Sequence, residues 1–232
     1  MYWEKFWNDF PTRFAEDEFL RQVSKTFKGQ PVSEHQLNLL ISELIQILEL
    51  RPTDSVLDIC CGNGVITSAV SEKCAHITGV DFSERLIQIA KNYFGKANTS
   101  YFKMSVLDIN HDNLNSSQLF DKIYMYEALQ HFKEEQFPLL LERVLDIASN
   151  NCIIYIGSIP DFDKLWSFYD TPEKQAEYLR AKDEGQELLG TWWSKVYLEK
   201  ICSTYNLGCN FIEQSTKLHT SYYRFDMLIN RI

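Results

Sequence analysis

One stretch, residues 56–67 with the sequence VLDICCGNGVIT, restricts the possible fold more than any other part of the chain. It begins with a mainly apolar run, passes through small residues and glycines, and becomes helix-compatible again at Val65. This order is typical of a buried strand that turns tightly into a helix. Gly62 and Gly64 can adopt positive φ and leave room for a ligand against the backbone. Such a turn, at the carboxyl end of a parallel strand, is where open α/β sheets bind nucleotides.

The composition favours one globular α/β domain. The chain has 232 residues, 45% of them hydrophobic, and a net charge of −9 that disfavours non-specific binding to nucleic acid. The chain has no uncharged apolar run long enough to span a membrane, and its first residues lack the apolar core of a signal peptide. We therefore expect a soluble, cytoplasmic protein. We expect a monomer or a homodimer. The six cysteines have neither C-x-x-C nor zinc spacing, which predicts reduced structural thiols and no metal site.

An acidic residue follows the next predicted strand, residues 76–80, at a spacing that suits ribose binding. Asp81 comes about 20 residues after the glycine turn, where a carboxylate can accept hydrogen bonds from both ribose hydroxyls. Ser83 is placed to cap the following helix, predicted over 84–93, and Asp81 is an alternative cap. Both roles are compatible, since Ser83 can cap while Asp81 binds ribose.

Other patterns extend this unit. A capping box from Ser33 to Gln36 predicts a helix with apolar residues at helical spacing, which Pro52 ends. Further strands are predicted over 101–104, 120–126 and 152–157, and a helix over 134–148. A helix over 195–205 and two strands over 209–214 and 222–229 close the chain.

Together these motifs resemble those of the class I S-adenosylmethionine-dependent methyltransferases. Residues 58–64, DICCGNG, are similar to the first motif of that family, D/E-x-G-x-G-x-G, with Cys60 in place of the first glycine. GVDFS at 79–83 resembles the second motif, and YEALQHF at 126–132 the fourth. The resemblance implies a Rossmann-like α/β fold: a seven-stranded, mostly parallel sheet with a C-terminal antiparallel hairpin and helices on both faces.

The resemblance also implies the cofactor S-adenosyl-L-methionine, with S-adenosyl-L-homocysteine as product. Phe82 would lie beside the adenine, and Lys25 or Gln22 would meet the cofactor carboxylate. The acidic residue that usually contacts the adenine amino group is replaced here by Ser105, so this contact is left open between positions 105 and 108; Asp108 is equally well a plain loop residue. The predicted cofactor-binding residues are Asp58, Cys60, Cys61, Gly62, Asn63, Gly64, Asp81, Phe82, Ser83, Ser105, Val106, Leu107 and Tyr126.

Two segments flank the predicted core at residues 37–158. Residues 1–36 predict a helical arm, which either covers a sheet edge or forms a lid over the ligands. Residues 159–193 are too long for a turn and predict either a helical cap over the substrate site, as in the resembled family, or a helical pair that packs for stability. Residues 194–232 are predicted as the final helix and hairpin of the same domain.

The predicted reaction is methyl transfer to an oxygen or nitrogen of a small polar metabolite, with a sugar or surface-glycan precursor as one candidate. A base is needed only if the nucleophile arrives protonated. His131 is the first candidate because imidazole titrates near neutrality; the alternative is that it only packs or orients. Glu127 and His219 are weaker candidates. The chain lacks the Asn/Asp-Pro-Pro-Tyr element of methylases that act on exocyclic base amines, so a DNA base is not the expected acceptor.

Two other classes remain open. A nicotinamide dehydrogenase is possible because residues 62–67 nearly form G-x-G-x-x-G, but the third glycine is missing. A non-catalytic relative that keeps the fold to bind a ligand or a partner is the other alternative, given Cys60 and Ser105.

Overall fold

The computed structural model describes residues 2–114, 119–186 and 188–232, so Met1 of the predicted arm and Glu187 of the predicted cap lie outside the described residues. Nine strands are present in these ranges: β1 (Thr26–Phe27), β2 (Gln30–Pro31), β3 (Ser55–Ile59), β4 (His76–Asp81), β5 (Thr99–Lys103), β6 (Phe120–Tyr126), β7 (Ala148–Pro160), β8 (Leu207–Glu213) and β9 (Arg224–Arg231). The α-helices in the same ranges are α1 (Tyr2–Asp9), α2 (Phe19–Gln22), α3 (Glu34–Ile47), α4 (Val65–Val70), α5 (Glu84–Tyr93), α6 (Phe137–Ile147), α7 (Leu165–Phe168), α8 (Pro172–Asp183) and α9 (Lys195–Thr204).

Seven of the strands form one sheet in the order β5-β4-β3-β6-β7-β9-β8. The sheet is parallel except at β9, which pairs antiparallel with both β7 and β8. This confirms the predicted fold class. The chain runs outward from β3 to β5 and then returns to β6 on the other side of β3, so the strand order reverses between β3 and β6. In open α/β sheets, ligands bind in the crevice at the carboxyl ends of the strands at such a reversal.

The central strands β3 and β4 are buried on both faces of the sheet, as expected for parallel strands covered by helices. All five residues of β3 are buried, and apolar residues of β6, β9 and α6 pack in the largest core cluster. Trp193, predicted in the cap, is fully buried in this cluster, and its Nε1 donates to the Leu129 carbonyl at 3.2 Å. The end of the predicted cap therefore packs into the main core.

The local predictions for α3 are partly confirmed. Ser33 caps the helix by accepting a hydrogen bond from the Gln36 amide at 3.3 Å. The reciprocal half of the capping box is absent, because the Gln36 side chain donates to the Lys217 carbonyl instead, at 2.6 Å. The helix also ends before Pro52, at Ile47. Just beyond this end, Glu49 takes a left-handed φ of 49°.

No helix within the described ranges is long and apolar enough to cross a membrane. Across the same ranges, no group of three or more His, Cys, Asp and Glu side chains is arranged to hold a metal ion.

Candidate active site

Strained backbone marks the carboxyl edge of three neighbouring strands. Cys60 follows β3, Glu127 follows β6 and Ser158 lies at a bulge in β7, and each has a left-handed φ between 54° and 61°. A non-glycine residue in this conformation costs about 1–2 kcal/mol, and such residues cluster at functional sites. The left-handed φ of Cys60 is a conformation that glycine adopts more readily.

A cleft of about 760 Å³ lies at this edge, beneath the N-terminal segment. Its walls come from the glycine turn, the ends of β4 and β6, and the segment that contains α1 and α2. The lining residues are Trp7, Val23, Lys25, Cys60, Cys61, Gly62, Asn63, Val65, Ile66, Asp81, Phe82, Leu86, Tyr126, Glu127, Ala128, His131 and Phe132.

The N-terminal segment is fastened directly to the glycine turn. The Asn63 side-chain amide donates to the Phe19 carbonyl at 2.8 Å and to Gln22 Oε1 at 2.9 Å, and all of Asn63 is buried. A Cβ at Gly62 would lie 2.9 Å from Val23 Cγ1, so only glycine lets the segment approach this closely. The arm thus covers the turn rather than a distant sheet edge.

Asp81 ends β4 with its carboxylate at the cleft wall. Its Oδ2 accepts from the Gly62 amide at 3.0 Å and its Oδ1 from the Ser83 amide at 2.8 Å. Burial raises the pKa of Asp81 to about 6, although both backbone hydrogen bonds lower it. The carboxylate is therefore mainly ionised at neutral pH, and each oxygen has a further lone pair for a hydroxyl group.

The structure brings seven of the predicted cofactor-binding residues to the cleft and leaves six away from its walls: Asp58, Gly64, Ser83, Ser105, Val106 and Leu107. The carboxylate of Asp58 accepts from the hydroxyls of Thr67 at 2.6 Å and Tyr124 at 2.7 Å. Burial raises the pKa of Asp58 to about 7 against the effect of these two bonds. Asp58 thus supports the turn from inside the sheet.

The other residues away from the cleft also have partners within the protein. The Ser83 hydroxyl caps α5 and donates to the Trp7 carbonyl at 2.9 Å, which ties the arm to β4. Ser105 accepts from the Leu107 amide at 3.2 Å, and Val106 packs in the main core. Cofactor contacts by these residues stay a prediction.

Several lining residues are absent from the predicted set. Most are apolar side chains from helices and from the arm, such as Val23, Ile66 and Leu86. Their helical periodicity predicts burial and carries no sign of a ligand. Only the density of aromatic residues in the arm, with Trp7 among them, distinguishes part of this wall in the sequence.

A second cavity of about 870 Å³ adjoins the cleft. The arm forms one wall with Trp3, Phe6 and Trp7, while Tyr223 and Arg224 at the start of β9 form the opposite wall. The two cavities share the lining residues Trp7, Val23, Lys25, Glu127 and His131. A ligand in the cleft would therefore meet a ligand in this cavity at Lys25, Glu127 and His131.

A buried ion pair lies at this junction. Lys25 is 7% exposed, and its Nζ lies 2.5 Å from Glu127 Oε2 and 4.9 Å from the centre of the Tyr126 ring. Burial by itself would raise the pKa of Glu127, but Lys25 and Arg224 outweigh burial and lower it to about 2. Glu127 therefore carries a full negative charge and is a weak proton acceptor.

His131 lies beneath the arm. Its ring centroid is 4.2 Å from that of Trp3 and 5.5 Å from that of Trp7, and its buried Nδ1 has no hydrogen-bond partner in the described part of the chain. Burial, with the nearby charge of Arg224, lowers the pKa of His131 to about 3. The ring is therefore neutral at physiological pH, with one nitrogen free to accept a hydrogen bond.

The predicted cap contributes little to the second cavity. Among the described residues of 159–193, Leu188 and Leu189 line this cavity. The aromatic side chains of this segment pack with one another instead, since Trp192, Tyr169 and Phe168 form a cluster with Tyr223. The aromatic residues that line the cavity come mainly from the arm.

The chain is similar to known methyltransferases. Residues 56–151 match the family model described as "Methyltransferase domain". A ubiquinone biosynthesis O-methyltransferase of Coxiella burnetii is 36% identical over 83 residues, which cover 35% of this chain and 34% of the relative. The match thus spans about a third of that relative's length.

Solved structures show the same fold at low identity. Magnesium protoporphyrin IX methyltransferase from Synechocystis PCC 6803, with bound SAH, aligns with a TM-score of 0.66 at 14% identity over 100% of this chain and 99% of that one. The N-methyltransferase NodS from Bradyrhizobium japonicum aligns with a TM-score of 0.59 at 15% identity over 86% of this chain and 99% of that one. Residues 56–151 thus resemble a methyltransferase domain, and the chain has the fold of the class I S-adenosylmethionine-dependent methyltransferases.

Proposed function

We propose that this protein transfers a methyl group from S-adenosyl-L-methionine to an oxygen or nitrogen of a small polar metabolite. The observation that carries the proposal is the pair of adjoining cavities that share Lys25, Glu127 and His131. A two-substrate transfer needs both reactants held in contact and shielded from water. The cleft would hold the cofactor and the second cavity would hold the acceptor, both beneath the aromatic side chains of the arm.

The cleft residues fit the cofactor's chemical groups. Asp81 offers ionised oxygens to the ribose hydroxyls, and Phe82 offers a ring beside the adenine. Asn63 Oδ1 is buried and has no hydrogen-bond partner within the described ranges, as expected of an acceptor that awaits a donor. Lys25 lines both cavities and would meet the cofactor carboxylate. When bound, the cofactor supplies an activated methyl group on its sulfonium, so the protein has mainly to bind and align.

The charges at the junction limit the proton chemistry. Glu127 is a weak base because Lys25 and Arg224 hold its pKa low. The neutral ring of His131 can accept a hydrogen bond from an acceptor hydroxyl or amine, which orients the nucleophile. Because burial also holds the pKa of His131 low, at about 3, this ring is a weak base as well. We therefore assign His131 to orientation of the nucleophile and Glu127 to holding Lys25 in place.

The first test is isothermal titration of the protein with S-adenosylmethionine, S-adenosylhomocysteine and NADH. We expect micromolar binding of both adenosyl ligands and none of NADH. Asp81→Ala should weaken that binding by about tenfold or more, because it removes charge-assisted hydrogen bonds. Asp146→Ala is the matched control, since this acid lies exposed on α6 and does not line the cleft.

Failure of a folded protein to bind either adenosyl ligand would refute the proposal, and preferential binding of NADH would favour a dehydrogenase. Binding without turnover on a panel of hydroxyl and amine acceptors would favour the non-catalytic alternative. A sugar or surface-glycan precursor as acceptor, a cytoplasmic location, a monomeric or dimeric state and the absence of a nucleic-acid partner stay predictions.

A further inference from the structure

Arg224 is a buried cation on the wall of the second cavity. It begins β9 opposite Pro160 of β7 and is 4% exposed. Its Nη1 donates to the Ser158 carbonyl and to Gln130 Oε1, which are both neutral acceptors. Its Nε is buried and has no hydrogen-bond partner among the described residues.

No carboxylate within the described ranges lies within 4 Å of this guanidinium. A buried charge without a counter-charge is costly, because it has lost its hydration and gained no ion pair. The ring of Tyr223, 4.9 Å from Cζ, offsets only part of that cost. The arrangement therefore calls for an anion from outside the protein.

The charge around the cavity points the same way. Lys25 and Arg224 are the cationic side chains of its described wall, and Glu127 is the acidic one. Glu127 is already paired with Lys25. His131 and His219 also line the cavity, and burial lowers the pKa of both imidazoles, so they add no positive charge at neutral pH. The wall thus carries one positive charge that no side chain of the wall neutralises.

We propose that Arg224 binds an oxyanion of the methyl acceptor, either a carboxylate or a phosphate ester, and that the natural acceptor is an acidic metabolite. The inference rests on the proposed function, because it places the acceptor in this cavity. The guanidinium fork matches the geometry of both carboxylates and phosphates, and its free Nε adds a donor that is already desolvated. A neutral sugar would leave Arg224 without a counter-charge, whereas a sugar acid or a sugar phosphate would supply one.

The test uses the protein saturated with S-adenosylhomocysteine and titrated with benzoate, inorganic phosphate and benzamide. We expect benzoate or phosphate to bind and benzamide, the neutral match of benzoate, not to bind. Binding of benzoate alone would indicate a carboxylate acceptor, and binding of phosphate alone a phosphate ester. Arg224→Gln should weaken anion binding by about 10- to 100-fold, the range for a buried charge-assisted hydrogen bond.

Two further variants make the test specific. Arg231 lies at the exposed end of the same strand, so Arg231→Gln should leave anion binding unchanged. Arg224→Lys keeps the charge and should retain part of the anion affinity. If Arg224→Gln no longer binds S-adenosylhomocysteine and is therefore misfolded, the anion affinity of Arg224→Lys tests the inference in its place. Equal anion affinity in wild type and Arg224→Gln, equal binding of benzamide and benzoate, or no anion binding at all would overturn the inference. Failure of the wild type to bind S-adenosylhomocysteine would instead refute the proposed function and, with it, the inference.

Discussion

Replacing Lys25 by methionine tests how strongly the fold depends on the ion pair at the junction of the two cavities. Methionine keeps an unbranched stem in the same place but leaves the carboxylate of Glu127 without its nearest counter-charge. In the native protein Lys25 Nζ lies 2.5 Å from Glu127 Oε2, and the two side chains are 7% and 26% exposed. The pair is therefore mostly out of water.

The magnitude follows from these distances and exposures. At 2.5 Å and an effective dielectric constant of about 20, the attraction is about 7 kcal/mol before desolvation is subtracted. Desolvation of both groups offsets much of this, but removal of one partner from a buried pair costs about 3–5 kcal/mol. Because Glu127 is partly exposed and Arg224 also lowers its pKa, we expect a loss near the lower end, about 3 kcal/mol.

The dependence on pH gives a second readout. The lowered pKa of Glu127 contributes stability that is fully present above the pKa of an unfolded glutamate and is lost as pH falls towards about 2. Lys25→Met removes most of that contribution. The difference in unfolding free energy between wild type and variant should therefore shrink as pH falls from about 7 to about 4.

The assay is urea unfolding followed by circular dichroism at both pH values. Lys103→Met is the matched control, since Lys103 pairs with Glu84 at 2.7 Å but the two side chains are 55% and 60% exposed. An exposed pair of this kind contributes less than about 1 kcal/mol. The double variant Lys25→Met, Glu127→Gln should recover part of the loss. Equal losses for Lys25→Met and Lys103→Met would refute the reasoning.

Three further predictions concern the turn and the arm. Cys60→Val should lower stability by about 1–2 kcal/mol while Cys60→Gly changes it by less, because a β-branched residue tolerates the left-handed φ of 60° poorly; equal melting temperatures of the two variants would contradict this. Burial lowers the pKa of His131 to about 3. Wild type should therefore lose stability relative to His131→Gln as the pH falls below the pKa of histidine in the unfolded chain, and the loss should reach about 2 kcal/mol at about pH 5. Parallel pH profiles in chemical unfolding would show that His131 is not buried as described. Asn63→Ala removes two hydrogen bonds to the arm and should speed amide hydrogen exchange in residues 2–22 by about tenfold. Asn98→Ala removes two similar bonds elsewhere, to the Ser71 and Cys74 carbonyls, and should leave exchange in the arm unchanged.

Local patterns in the sequence were enough to predict most of the sheet. The glycine turn after β3, the helix over Glu84–Tyr93 and the strand over Phe120–Tyr126 are observed at their predicted places. Each depends on periodicity, a cap or a glycine within a few residues, which are short-range effects that a single sequence displays. Helix ends were less predictable: α3 ends at Ile47, shortly before the left-handed backbone at Glu49, and does not continue to Pro52.

The uses of individual side chains depended on contacts that the sequence does not display. Asp58 lies in the predicted motif, yet its carboxylate is occupied by Thr67 and Tyr124. Trp193, predicted in a cap, fills the main core. Both outcomes depend on the side of the sheet that each residue faces. This side is decided only when neighbouring strands pair, and the pairing depends on the topology of the whole chain.

The sequence by itself thus determined the fold class, the glycine turn and the acidic residue at the end of β4, because each is encoded within a short stretch. Only the tertiary structure decided that the arm covers the turn, that Lys25 pairs with Glu127 across 102 positions, and that Arg224 is buried beside the same cavity with no carboxylate of the described residues within 4 Å. These features arise where distant segments meet at the carboxyl edge of the sheet. Their energies come from burial and charge, which exist only once the chain has folded.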